Sequence, residues 1–202
     1  KSTSTGTISV ADSSIIDVIA QGRDQLVEFE YSARETKGLH WLTKQPGVFT
    51  TFYCNAWMIC SMAPGQRATL RLEIVLMDEG YRAAGPGVER ESWSDDEGRH
   101  WVFETPVPVQ TYLFSFAVAQ LQSSKSGALE ILAPAAERRS ALKQTEAAVA
   151  FFREKTGINP VRKGYRQVFL PQAGLFGQEA AQLALMTELA LSNLETKADV
   201  VL

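Results

Sequence analysis

The chain has 202 residues, 45% of them apolar and 21% charged, with a formal net charge of −3 and a pI near 5.5. That length holds one large domain or two small ones with a real core, and the acidic balance gives no nucleic-acid footprint or affinity for an anionic membrane. No stretch approaches the ~20 apolar residues needed to span a bilayer. The first residue is Lys1 and no charged-then-apolar leader follows, so the chain reads as a processed or partial piece whose targeting signal is not legible.

Lys1 to Thr7 is rich in Ser and Thr and reads as a frayed terminus. Short apolar runs at Ile8–Val10 and Ile15–Ile19 precede a turn at Gln21–Asp24, and Leu26 to Tyr31 alternates as a half-exposed strand does. Gly38–Leu42 is a further short strand, closed by Gln45-Pro46-Gly47. The run Trp57-Met58-Ile59-Cys60-Ser61-Met62-Ala63-Pro64 carries no charge and ends at a turn, so it reads as a buried strand or a packed loop. Ala68 to Met77 is the next strand, followed by a turn at Asp78-Glu79-Gly80. Ser92-Trp93 and His100 to Glu104 flank Asp95-Asp96-Glu97-Gly98, which predicts a hairpin with a solvated tip. Tyr112 to Leu121 completes a strand-rich region over residues 8–122 with turn signals every ten or so residues, the rhythm of a sandwich or curved sheet.

Ser123 to Gly127 then reads as a boundary and Leu129–Leu132 as a short strand. Ala141, Leu142, Thr145, Val149 and Phe152 recur at three-to-four spacing, predicting a helix over 141–156 that stops at Thr156-Gly157. Tyr165–Leu170 is a strand stopped by Pro171, and the Ala- and Leu-rich segment Gln178–Leu194 predicts a second helix. The fold class expected is a β-rich domain over 1–124 followed by the opening of an α or α/β domain over 125–202.

Cys54 and Cys60 are the two cysteines. On one extended segment six residues span roughly 20 Å, beyond disulfide reach unless the chain bends sharply between them. Two buried thiols are therefore expected, which favours a reducing, cytoplasmic compartment.

Catalytic constellations are thin. His40 and His100, the two histidines, lie in no HExxH or other paired-ligand spacing, and CxxC is absent, so no zinc site is expected from this chain alone. Ser140-Ala141-Leu142-Lys143 fits SxxK, but its companion motifs SDN and KTG are missing, and the segment reads as a solvated helix face. Gly85-Pro86-Gly87 reads as a turn, and Asp95, Asp96 and Glu97 as a solubility feature.

Order and spacing say more than any single motif. Gly38-Leu39-His40-Trp41 is followed by Phe49-Thr50-Thr51, Trp57 to Pro64, Arg67-Ala68-Thr69-Leu70-Arg71-Leu72-Glu73-Ile74 and Gly80-Tyr81. Later come Pro106-Val107-Pro108 with Tyr112-Leu113, Phe151-Phe152 with Thr156-Gly157, Asn159-Pro160 with Lys163, and Val168 to Pro171. Over residues 26–180 this succession resembles the zinc aminopeptidases of the aminopeptidase N and leukotriene hydrolase type (gluzincins). The resemblance implies a β-saddle domain packed on a thermolysin-like catalytic domain, with a peptide substrate bound between them and zinc as cofactor of the parent protein.

Departures from that pattern are concentrated at the substrate motifs. The family's FTQ glutamine, which lines the pocket for the substrate's first side chain, corresponds to Thr51. The proline and aspartate of its WFPCxDxP motif correspond to Ile59 and Met62. The GxMEN loop, which holds the substrate backbone and its amino terminus, has its nearest counterpart in Gly174-Leu175-Phe176-Gly177-Gln178-Glu179. That alignment sets Gly177 at the glutamate, while a shift of two residues gives the role to Glu179. A carboxylate is needed there because a buried ammonium requires an opposite charge with hydrogen-bonding oxygens.

In the family HExxH follows GxMEN by about thirty residues. Asp199-Val200-Val201-Leu202 resembles the apolar run before it, so the zinc ligands and general base are expected beyond Leu202. The chain is then the N-terminal portion of an aminopeptidase, inactive by itself. A non-catalytic scaffold or peptide- or protein-binding relative is the alternative, and an unrelated β-plus-helix binding domain is a third reading. An incomplete catalytic domain would leave the helices 141–156 and 178–194 without partners, so self-association or partial disorder is expected after about residue 125.

Overall fold

Runs of alternating residues build short strands here, and nearly continuous apolar runs build strands covered on both faces. The computed structural model describes residues 26, 28–134, 138–171 and 177–192. Contacts divide the chain into two units, 1–33 and 34–202, and every element named below belongs to the second. In chain order these are β1 (Leu39–Trp41), β2 (Val48–Thr50), β3 (Arg67–Ala68), β4 (Arg71–Leu76), β5 (Arg82–Ala84), β6 (Val88–Asp95), β7 (Gly98–Glu104) and β8 (Val109–Gln110). There follow β9 (Ala117–Ala119), β10 (Gln122–Ser126), β11 (Leu129–Ala133), α1 (Arg138–Thr156), β12 (Tyr165–Leu170), β13 (Gly177–Ala180), β14 (Leu183–Thr187) and the single turn α2 (Leu189–Ser192).

The centre is a five-stranded mixed sheet in the order β10-β11-β12-β14-β13, with β11, β12 and β14 parallel and α1 as the crossover between β11 and β12. Parallel strands buried on both faces need apolar residues at successive positions, and the two faces divide cleanly by parity. Leu132, Val168, Leu170, Leu183 and Leu185 pack against Leu42, Phe49, Ala84, Ala117 and Ala119 of the antiparallel sheet β1-β2-β9-β5 and its flanks. Ile131, Ala133, Phe169 and Met186 turn the other way, onto Ala141 of α1 and Ala190 and Leu191 of α2.

A three-stranded antiparallel sheet, β4-β7-β6, covers a further core of Ala83, Trp101, Phe103 and Val118. Its alternating strand Arg71–Leu76 turns Leu72, Ile74 and Leu76 inward and leaves Arg71, Glu73 and Val75 outside. The turn before β6 is buried, and Gly87 sits there at φ +75° with its N–H donating to the Ala181 carbonyl at 2.6 Å. A Cβ at that position would run into the Glu104 carbonyl, so glycine is required by both conformation and space.

The hairpin over 92–104, the strands at 39–41, 129–132 and 165–170, and the helix over 141–156 are all found. Several expectations change. Residues 28–31 carry no strand, because alternation supplies a face but a strand also needs a neighbour to pair with; the runs at 8–10 and 15–19 lie outside the described residues. The strand expected over 68–77 is split at Thr69-Leu70, Tyr112–Leu121 opens with a 3-10 turn (Thr111–Leu113) before β9, and the boundary expected over 123–127 is instead β10, paired along its length with β11. The helix expected from Gln178 is instead the β13–β14 hairpin and the short α2, residues 193–194 lying outside the described ones. Ala and Leu favour helix locally, but pairing of β14 with β12 overrides that weak preference.

A further change is the cysteine pair. Cys54 and Cys60 form a disulfide with Cα atoms 6.1 Å apart. Cys54–Ala56 is a 3-10 turn, and that bend removes the extended geometry on which two thiols were expected. The apolar run from Trp57 is the packed loop that follows. Trp57 is buried edge-on to Phe116 at 5.0 Å, whereas Ile59, Met62 and Pro64 are exposed.

Candidate functional site

The sheet edge β13 and the end of β2 meet through one buried side chain. Gln178 is 3% exposed, and its amide Nε2 donates to the Thr50 carbonyl at 3.4 Å and to Ser115 Oγ at 3.3 Å. Ser115 Oγ lies 3.0 Å from Thr50 Oγ1, which accepts from the Phe116 N–H at 2.8 Å. Buried polar atoms are costly unless paired, and these three side chains pair one another.

Strand alternation sets the next residues. With Gln178 turned in, its neighbours Gly177 and Glu179 are exposed on β13, which among the described residues pairs with β14 alone. Glu179 has no hydrogen-bond or ion-pair partner among the described residues. A Cβ at Gly177 would meet nothing within 4 Å, so packing does not demand the glycine. Past the strand, the Ala181 N–H donates to the Leu113 carbonyl at 3.1 Å and closes that end of the edge.

Thr51 follows Thr50 directly and is half-buried. Its N–H donates to the Gly38 carbonyl at 3.0 Å and its hydroxyl to the Lys37 carbonyl at 2.7 Å. The hydroxyl is thus spent on the β1 entry. The structure joins the segments of Thr51 and Glu179 through the Thr50–Gln178 contact; Gly174, Leu175 and Phe176 lie outside the described residues. Chemically, the arrangement offers a strand edge and a carboxylate that have no partner among the described residues, the elements needed to take up an extended chain by strand addition.

Two polar features escaped the sequence reading. Arg166, Glu130, Arg82 and Glu89 form an ionic cluster under a cleft of about 280 Å³ lined also by Lys125 and Lys163. Arg166 Nε donates to Glu130 at 2.8 Å and its Nη1 to the Gly85 carbonyl at 3.2 Å, while Arg82 reaches Glu89. Burial pushes the Glu130 carboxyl up, but the Arg166 guanidinium, then Arg82 and the Ser123 hydroxyl, overcome it and hold it at about 2. A signal was present: Glu130 interrupts an apolar run on β11, and a charge in a doubly covered strand must have a partner. The second feature is Ser115, a single polar residue between Phe114 and Phe116.

The described residues offer no site that fits the zinc implied by the resemblance. Among the described residues no three His, Cys, Asp or Glu side chains converge as a metal site, and both cysteines are tied in the disulfide. His40 is stacked on Phe49 at 5.2 Å with Nε2 3.0 Å from the Lys37 carbonyl. Ser140 and Lys143 are exposed on α1, as a solvated helix face requires. Among the described residues no helix is long and apolar enough to cross a membrane.

No protein-family model matches the sequence, and no curated protein matches it. The fold does have solved counterparts. It is similar to native yeast LTA4 hydrolase with a TM-score of 0.67 and 18% identity, covering 81% of this chain and 28% of that one. It is also similar to yeast LTA4 hydrolase in complex with bestatin, with a TM-score of 0.63 and 20% identity, covering 82% of this chain and 28% of the other. The chain thus spans just over a quarter of the length of the structures it matches, and it carries the β-rich fold of the N-terminal region of LTA4 hydrolase.

Proposed function

We propose that this chain is the N-terminal portion of an aminopeptidase-like protein and forms one wall of its peptide cleft. Residues 1–124 are assigned to the β-saddle domain and 125–202 to the start of the catalytic domain, a division that falls within β10, so the change-over lies inside the central sheet. In this reading the edge of β13 takes the backbone of an extended peptide, Glu179 receives its terminal ammonium, and Thr51 lines the pocket beside the first side chain. The observation that carries it is the Gln178–Thr50 hydrogen bond, which couples the edge strand to the segment that holds Thr51. Gly177, exposed and unpacked at the start of β13, leaves room for another backbone to approach. Zinc and the hydrolytic groups belong to the full-length protein, and this portion alone is inactive.

A non-catalytic scaffold or binding module is the second reading. What favours it is the Thr51 hydroxyl, committed to the Lys37 carbonyl where the related enzymes carry a glutamine for the substrate pocket. Zinc content and hydrolysis of an aminoacyl reporter by the full-length protein separate the two. About one zinc per chain with chelator-sensitive hydrolysis supports the enzyme; peptide binding without metal or turnover supports the scaffold.

A further inference from the structure

We propose that His100 is a pH-sensitive clasp whose imidazolium bridges Glu73 on β4 and Asp95 on β6 and releases the tip of the β6–β7 hairpin when it loses its proton. His100 lies on the central strand β7, opposite Val75 on one side and Trp93 on the other. Its ring is 5% exposed, with Nδ1 2.9 Å from Glu73 Oε1 and Nε2 2.9 Å from Asp95 Oδ1. Carboxylates only accept, and a neutral imidazole has a single N–H. Both contacts therefore exist together only in the charged ring; in the neutral ring one nitrogen lone pair faces a carboxylate and that contact opens.

The surroundings make the hairpin tip depend on this bridge. Trp93 stacks on the ring at 4.5 Å and 12°, and its indole Nε1 donates to Asp95 Oδ2 at 2.9 Å. The Glu97 N–H donates to Asp95 Oδ1 at 2.9 Å and closes the turn. The charged groups facing the ring are Glu73 and Asp95, with Arg71 of β4 3.7 Å from Glu73. Arg99, next to His100 in sequence, lies over the Trp101 ring at 5.0 Å.

The Glu73 hydrogen bond, then that of Asp95, raise His100 above its ordinary 6.5, against the opposite pull of burial. A raised histidine stabilises the fold fully below about 6.5 and loses that contribution as pH rises through its folded value. Asp95 is lowered from 3.8, first by the Trp93 hydrogen bond and then by His100, so its share is present above 3.8 and lost as pH falls through the lowered value. The clasp is closed in mildly acidic solution and opens on the alkaline side.

The test follows His100 by ring NMR and amide hydrogen exchange over residues 92–100 in the 202-residue chain, between about pH 5 and 9. Expected are a His100 transition above 6.5 and, across it, a severalfold rise in exchange at 92–100 after correction for intrinsic base catalysis, with α1 unchanged. Glu73→Gln and Asp95→Asn are isosteric changes at half-exposed side chains, and each shifts the ring transition and the exchange step together to lower pH. A His100 transition at or below 6.5, exchange that stays flat through it, or variants that leave both unmoved overturns the proposal.

Discussion

The side-chain amide of Gln178 donates to the main-chain carbonyl of Thr50 across 128 positions of sequence, at 3.4 Å. One hydrogen bond thus ties the sheet edge at β13 to the end of β2, and Ser115 completes the join from the β9 approach. Replacing Gln178 by Leu leaves the Ser115 hydroxyl and the Thr50 carbonyl with fewer partners in a dry site. The expected loss is about 1–3 kcal/mol in urea unfolding, together with faster hydrogen exchange on β13 than on β12.

The ionic cluster carries the acid dependence of the fold. Glu130 is held at about 2 against an ordinary 4.5, so its contribution is present above 4.5 and is lost as pH falls towards 2. That difference is worth on the order of 3 kcal/mol. Glu130→Gln is expected to unfold more easily than the wild type at neutral pH, with the gap closing towards pH 2. Arg166→Ala removes the main partner of the buried Glu130 carboxylate but leaves Arg82, Lys125 and Ser123 on it, so it should cost about 1–3 kcal/mol at neutral pH. Denaturant melts at a series of pH values read both.

Reduction of Cys54–Cys60 opens a short loop in the unfolded chain. Chain-entropy arguments for a loop this small give roughly 2 kcal/mol, so a dithiol reductant or Cys60→Ala should lower the melting temperature measurably. An unchanged melting temperature would mean that the bridge does not constrain the fold.

Much of the architecture was legible in the residues. The short strands at 129–132 and 165–170, the latter stopped by Pro171, and the three-to-four spacing of Ala141, Thr145 and Val149 in α1 could all be read from the residues. What was not legible depended on long-range pairing. Gln178 to Leu185 is rich in helix formers, yet β12 offers a strand to pair with, so the segment forms a hairpin and Glu179 falls outward beside an inward Gln178. Gly177 and Glu179 share that outward parity, so the strand fits the alignment at either residue, and Glu179 is the one that brings a carboxylate. The disulfide was missed for a related reason: the bend at Cys54–Ala56 has no glycine or proline to announce it.

We propose that α1 mediates self-association. Phe151 and Phe152 are 54% and 45% exposed at its C-terminal end, followed by Ile158 at 67%. Sedimentation should show concentration-dependent association of the 202-residue chain, weakened in Phe151→Ser/Phe152→Ser; a monomer at all concentrations would remove α1 as an association surface.

The peptide cleft is the central claim, and Glu179 is its sharpest point. The decisive measurement is the affinity of the full-length protein for one peptide with a free amino terminus and for its N-acetylated form, in the wild type and in Glu179→Gln. A charge-assisted contact to the ammonium predicts about tenfold or greater preference for the free amine, lost in Glu179→Gln while the acetylated peptide binds unchanged. Equal affinities for the two peptides, or a preference that survives Glu179→Gln, would contradict the account.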